Sequence, residues 1–125
     1  MNSISRFIAA AFAIVLIGLP VIAGAGPRSH RPDEDAALAL LVRTVKHDGV
    51  YVKRISLDCV SYDTEETTGG YFEFALREIH NAKCGGDPLT SHVVDRYRVY
   101  GRSGKIEWWE PIGGTWQRYD PAKIR

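Results

Sequence analysis

The residues best suited to chemistry lie close together, in the segment from His80 to His92. This segment holds two imidazoles, the thiol of Cys84 and the carboxylate of Asp87, and zinc accepts all of these groups as ligands. Their spacing matches no standard zinc motif, and a disulfide at Cys84 would remove the thiolate. We therefore expect no metal and no other cofactor, with a metal protein that uses His80, Asp87 and His92 as an alternative.

The same segment also predicts a turn. The sequence Gly85-Gly86-Asp87-Pro88 favours a turn, and nearby side chains can bond to the loop amides. The link between the flanking strands is longer than hairpin closure requires, so either a disulfide or a bound partner accounts for the extra length. The predicted binding residues in and beside this link are His80, Asp87, Thr90, Ser91 and His92.

Ser91, His92 and Asp95 are the residue types of a hydrolytic triad. On a strand, however, the adjacent Ser91 and His92 point to opposite faces, and no glycine-flanked nucleophile turn contains the serine. We therefore predict that the chain is not an enzyme and has no catalytic residue, with a small hydrolase as an alternative. Asp95 falls on the apolar face of its strand, where we expect it to pair with a buried Arg or Tyr.

The first 25 residues are typical of an export signal. Arg6 is followed by an apolar run from Phe7 to Leu19, then by Pro20 and small residues up to Ala25. The order predicts a cleaved signal peptide at 1–25 and a soluble periplasmic protein. A spanning helix needs about 20 apolar residues, and the run from Phe7 to Leu19 is shorter and ends before Pro20. We therefore expect no stable membrane insertion after cleavage.

Cys59 and Cys84 are the only cysteines of the chain. An even pair in a chain exported to an oxidising compartment predicts a disulfide between them. A simple hairpin centred near Glu66 would place Cys59 opposite residue 73, far from Cys84. The bridge would then require the 81–91 loop to fold back, or the first strand to end early.

The charge balance excludes one class of partner. The full chain has 16 basic and 15 acidic residues, and cleavage after residue 25 removes one basic residue, Arg6. The mature chain would then be neutral, with no basic run. Binding of nucleic acid depends on an excess of Lys and Arg, so we predict no nucleic-acid partner.

The elements that position these residues follow from the hydrophobic periods. Residues 34–46 show the three-and-four spacing of a helix that ends at Gly49, and alternation then predicts four strands. The predicted strands cover 50–60, 70–80, 92–100 and 105–110. The predicted fold is α+β, with one N-terminal helix packed on a four-stranded antiparallel meander. Residues 26–32 form a flexible leader in this scheme, and residues 33–125 form a single domain.

Trp108 and Trp109 are adjacent on the fourth predicted strand, so their side chains point to opposite faces. One belongs to the core. The other, taken to be Trp109, is either an exposed anchor of a protein interface or is covered by the C-terminal tail with Trp116 and Tyr119.

The stretch from Tyr71 to Trp109, with its His80-x3-Cys-Gly-Gly-Asp-Pro-x-Thr-Ser segment, resembles a group of small exported proteobacterial proteins of uncharacterised function. In size, export signal and disulfide use, the chain is also similar to periplasmic lysozyme inhibitors and to type VI secretion immunity proteins. The class resemblance implies a protein partner, such as a peptidoglycan-acting enzyme.

We therefore expect a periplasmic binding protein, either an inhibitor or an immunity protein, that blocks a cell-wall-acting enzyme. An accessory module of the cell envelope that binds peptidoglycan or an envelope protein is the alternative.

Overall fold

The computed structural model describes residues 32–124. The expected signal peptide at 1–25 lies outside the described residues, as does the expected leader at 26–32 apart from Pro32, where the first helix begins. In chain order the elements are helix α1 (Pro32–His47), a 3-10 turn (Leu57–Cys59), strands β1 (Val60–Thr67), β2 (Tyr71–Glu78), β3 (Val93–Tyr100), β4 (Ile106–Glu110) and β5 (Thr115–Arg118), and the short helix α2 (Pro121–Ile124).

The strands form one antiparallel sheet in the order β1-β2-β3-β4-β5, so the α+β class and the meander are confirmed. The predicted number of four strands is wrong. The tail after β4 turns at Gly114, which has a positive φ of 63°, and returns as β5 along β4. Only four residues make this strand, too few for alternation to distinguish it from a loop.

Helix α1 covers one face of the sheet, which we call the inner face. Acidic residues occupy its first turn and basic residues its last, as the helix dipole favours. Ala37, Leu41 and Val45, spaced four apart, are buried. They pack on inner-face side chains that alternate along β2, β3 and β4: Phe72, Phe74, Leu76, Tyr97, Val99, Ile106 and Trp108.

The first predicted strand is misplaced. Residues 51–54 form turns, and the strand itself begins only at Val60. It then runs through 63–67, which lie between the first and second predicted strands. The turn between β1 and β2 lies instead at 68–70, where the Thr68 hydroxyl accepts hydrogen bonds from the amides of Gly70 and Tyr71.

A buried carboxylate explains why residues 51–54 are not a strand. The Asp95 side chain is only 7% exposed and accepts hydrogen bonds from the Tyr51 hydroxyl at 2.8 Å, Arg54 Nη1 at 3.1 Å and Trp108 Nε1 at 3.0 Å. The Tyr51 hydroxyl also lies 2.6 Å from that of Tyr97. The predicted pairing of Asp95 with an Arg or a Tyr is thus confirmed. Both Tyr51 and Arg54 reach it from one turn, because a helical bend presents residues three apart on the same side.

An irregularity interrupts β1 where it pairs with β2. Thr64 lies opposite Phe74 and Glu66 lies opposite Glu73, so Glu65 is an extra residue without a partner in the register. This β-bulge lies on an edge strand of the sheet.

Within residues 32–124, no helix is both long enough and apolar enough to cross a membrane.

The hydrogen-bonded tyrosines predict how stability depends on alkaline pH. Burial raises the pKa of both Tyr51 and Tyr97 well above the ordinary value of 10.0. Tyrosines in the unfolded chain ionise near that value, while these two stay neutral in the folded protein. Their contribution to the free energy of unfolding is therefore fully present below pH 10 and is lost as the pH rises further. Replacing Tyr51 with Phe should make this fall shallower by about 1.4 kcal/mol per pH unit.

Denaturant unfolding of both proteins at a series of alkaline pH values measures these slopes. At neutral pH, Tyr51→Phe should cost about 1–3 kcal/mol, because Asp95 and Tyr97 each lose a partner. Equal slopes for the two proteins would contradict the assignment of Tyr51 as a buried neutral phenol.

Candidate functional site

The disulfide joins the sheet to the loop that follows β2. Cys59 and Cys84 are bonded, with 5.6 Å between their Cα atoms. Because the β1–β2 turn lies at 68–70 and not at Glu66, Cys59 is level with Ile79, whose amide donates to the Cys59 carbonyl at 2.8 Å. Cys84 is therefore within reach, and the loop does not fold back across the sheet. Closing 25 residues stabilises the fold by about 3 kcal/mol.

The loop is built around His80, whose side chain is only 11% exposed. Its Nδ1 donates to the Asp87 carbonyl at 2.9 Å and lies 3.0 Å from the Thr90 hydroxyl. A Cβ added at Gly86 would lie 2.5 Å from the His80 ring, and Gly86 also has a φ of 81°. The ring therefore occupies the space that a side chain at position 86 would need.

Three of the predicted binding residues shape the loop from within. The Asp87 carboxylate accepts the Leu89 amide at 2.9 Å, and the Thr90 hydroxyl donates to the Asp87 carbonyl at 3.0 Å. The Ser91 hydroxyl donates to the Glu78 carbonyl at 2.9 Å. These hydrogen bonds stay within the loop and the end of β2, so they stabilise the shape of the loop. The three residues remain exposed to solvent.

Glu78 brings the two histidines together. Its Oε2 lies 2.8 Å from Nε2 of His80 and 3.4 Å from Nδ1 of His92. The hydrogen bond with Glu78 raises the pKa of His80, and the same bond lowers the pKa of Glu78. The backbone holds Glu78 and His92 side by side, because the Glu78 N–H donates to the His92 carbonyl at 2.9 Å. We call these three residues the Glu-His-His cluster.

The hydrolytic triad does not assemble. Ser91 bonds to a backbone carbonyl, His92 faces Glu78, and Asp95 is held in its own cluster with Tyr51 and Trp108.

Trp109 lies in a second candidate site, on the sheet face opposite α1, which we call the outer face. It pairs in register with Trp116 of β5, and their ring centroids are 5.3 Å apart in an edge-on arrangement. The guanidinium of Arg98 lies 4.0 Å from the Trp116 ring centroid and 4.4 Å from that of Tyr71. Nε of Arg98 donates to Glu73 at 3.0 Å, so one cation has two aromatic faces and a carboxylate around it.

Trp108 provides the core member of the tryptophan pair, since it is buried and bonded to Asp95. The tail does not cover Trp109 from above. It continues the sheet as β5, and Trp116 lies beside Trp109 on the outer face.

Ion pairs extend this outer face toward β1. Glu65, the bulged residue, bonds Arg77 at 3.2 Å and Arg96 at 2.7 Å. At the other end, Glu107 accepts the Tyr100 hydroxyl at 2.7 Å and the Lys105 ammonium at 2.9 Å. The hydrogen bond to Glu107 raises the pKa of Tyr100.

Five residues of these two sites were not predicted as site residues: Glu78 in the Glu-His-His cluster, and Tyr71, Glu73, Arg98 and Trp116 on the outer face. The spacing of two between Glu78 and His80 is typical of side chains on one side of an extended chain, and this is the signal that could have found Glu78. Arg98 and Trp116 carried no local signal, because their contacts join strands that are distant in sequence.

Searches against protein-family models, curated proteins and solved structures find no significant match to this chain. The resemblance carried by the His80-x3-Cys84 segment therefore stays a prediction.

Gly85 and Gly86 offer a matched pair of variants to test the central role of His80. Both have a positive φ, so an alanine at either position costs about 1–3 kcal/mol in backbone strain. Only at Gly86 would the added Cβ meet the imidazole, whereas nothing lies within 4 Å at Gly85. We expect Gly86→Ala to destabilise the protein more than Gly85→Ala, and denaturant unfolding measures the difference. Equal losses would show that the His80 ring does not occupy this position.

Proposed function

We propose that the chain is a non-enzymatic binding protein of the periplasm. In this proposal it acts as an inhibitor of, or an immunity protein against, an enzyme that attacks the cell wall. The observation that carries the proposal is the outer face, where Trp116 and Tyr71 flank Arg98 and Trp109 packs edge-on against Trp116. Neither helix lies over this face, because both belong to the core on the inner side.

The chemistry of the outer face favours a protein partner. Trp, Tyr and Arg are the residues most enriched among those that dominate binding energy in protein interfaces. Arg98 is already held by two rings and Glu73, so little side-chain entropy is left to lose when a partner binds. A rigid, partly aromatic surface of this kind binds with a small ordering cost.

The charges of the outer face also favour a partner with mixed charges. Among residues 32–124, acidic and basic side chains on this face balance and are largely paired. They are Asp63, Glu65, Glu66, Glu73 and Glu107, against Arg77, Arg96, Arg98, Lys105 and Arg118. A polyanion or an anionic membrane is attracted by an excess of positive charge, which this face lacks.

A glycan partner is less well supported. A sugar ring stacks on an open aromatic face, and one face of Trp116 is taken by the guanidinium of Arg98 at 4.0 Å. The edge of one tryptophan also meets the other, with 61° between their planes, so the pair forms no flat platform. This geometry favours the protein-binding role over a module that binds the glycan of the cell wall.

Inhibition of peptidoglycan cleavage tests the proposal. The mature chain is added to a glycosidase, an amidase and an endopeptidase of the cell wall, and release of soluble fragments is measured. We expect one class to be blocked near equimolar inhibitor. Trp116→Ala should raise the inhibition constant about 30-fold, because loss of a central aromatic anchor costs about 2 kcal/mol or more.

Leu89→Ala is the matched control, since this side chain is 92% exposed and lies in the loop between β2 and β3, not on a strand of the outer face. It should leave inhibition unchanged, and thermal unfolding checks that both variants fold. Inhibition that survives both Trp116→Ala and Trp109→Ala would exclude the outer face. If no enzyme is inhibited and the chain sediments with insoluble peptidoglycan, the envelope accessory role replaces the proposal.

A further inference from the structure

We propose that the Glu-His-His cluster is a binding site for a divalent transition ion, with Zn²⁺ as the best fit. The ligand atoms are Oε2 of Glu78, Nε2 of His80 and Nδ1 of His92. Two imidazoles and one carboxylate form a ligand set that zinc uses when a fourth position is left open. Imidazole ligands favour zinc and its neighbours over magnesium and calcium, which prefer oxygen. This site is separate from the outer face and does not depend on the proposed function.

The distances are close to those of a tetrahedral site. With ligands about 2.0–2.1 Å from the ion, neighbouring ligand atoms lie about 3.3 Å apart. The Glu78–His92 pair is 3.4 Å apart and the Glu78–His80 pair is 2.8 Å apart. The three ligand atoms all lie within 4.8 Å of one another. The ion would therefore take the place of the hydrogen bond between Glu78 and His80, with a widening of about 0.5 Å.

Contacts within the loop already orient His80, the least exposed of the three ligands. Nδ1 of His80 donates to the Asp87 carbonyl at 2.9 Å, so Nε2 is the nitrogen turned toward the cluster. A histidine that binds metal commonly donates its other nitrogen to a backbone carbonyl in this way. Gly86 leaves room for the ring, and the disulfide at Cys84 fixes the loop that carries these contacts.

The backbone fixes the other two ligands relative to each other. Glu78 ends β2, opposite Val60, and its amide donates to the His92 carbonyl at 2.9 Å. The His92 side chain is 70% exposed, so one side of the cluster is open to solvent. Water, or a side chain of another molecule, can reach the fourth position of the ion from that side.

The ligands differ from those that the sequence indicated. The alternative weighed there used Asp87 with the two histidines, and Cys84 as a possible thiolate ligand. Cys84 is bonded to Cys59, and the Asp87 carboxylate accepts the Leu89 amide. Glu78 supplies the carboxylate in their place.

Calorimetric titration with ZnCl₂ tests the site. The protein is the mature chain with its disulfide intact, treated with a chelator and then dialysed. We expect saturable binding of one ion per chain, and at least tenfold weaker binding for both Glu78→Gln and His92→Ala. Glu78→Gln keeps the size of the side chain and removes its charge, while His92 is exposed enough for its replacement to leave the fold intact.

His47→Ala is the matched control. His47 is 88% exposed and also lies beside a carboxylate, with Nδ1 2.9 Å from Asp48, but no second histidine among residues 32–124 converges there. The His47→Ala variant should bind zinc with the same affinity as the unaltered chain. Titration with Co²⁺ adds a second readout, because tetrahedral Co²⁺ absorbs visible light far more strongly than hydrated Co²⁺. Absence of saturable binding, or equal affinity in the His92→Ala and His47→Ala variants, would overturn the proposal.

Discussion

The carboxylate of Asp95 is the group around which the rest of the structure is arranged. It is nearly inaccessible to solvent and accepts hydrogen bonds from the turn after α1 and from β4. Arg54, one of its partners, also donates to the Ile124 carbonyl at 3.1 Å and thereby ties down the C-terminal helix. A buried charge is tolerated only with such partners, so this one residue fixes the positions of three separate segments.

That constraint also explains which parts of the fold the sequence could predict. Helix α1 and strands β2, β3 and β4 follow from local periodicity, because each has one face in the core. Residues 51–54 have the β-branched and aromatic composition of a strand, but Tyr51 and Arg54 must bend toward Asp95, which is more than 40 residues away. A tertiary contact of this kind has no local signature, so the error there shifted the first strand by about ten residues.

The candidate sites divide in the same way. His80 and His92 could be singled out by residue type, and the cysteine pair by number and expected compartment. The role of Glu78 depends on the register of β2 against β3, which pairs Arg77 with Val93 and thereby places Glu78 beside His92. Asp87, Thr90 and Ser91 stay predicted binding residues, and the sequence does not reveal that their side chains also bond within the loop that surrounds the His80 ring.

The two edges of the sheet limit how this protein can associate with other chains. Strand β1 carries a bulge at Glu65, and β5 is only four residues long. A foreign strand adds to a sheet by forming a regular ladder of backbone hydrogen bonds, which a bulged edge or a very short edge interrupts. Growth of the sheet from molecule to molecule, as in fibrils, is hindered at both ends. Recognition of another protein must then depend on side chains, and hence on the identity of the partner's surface residues.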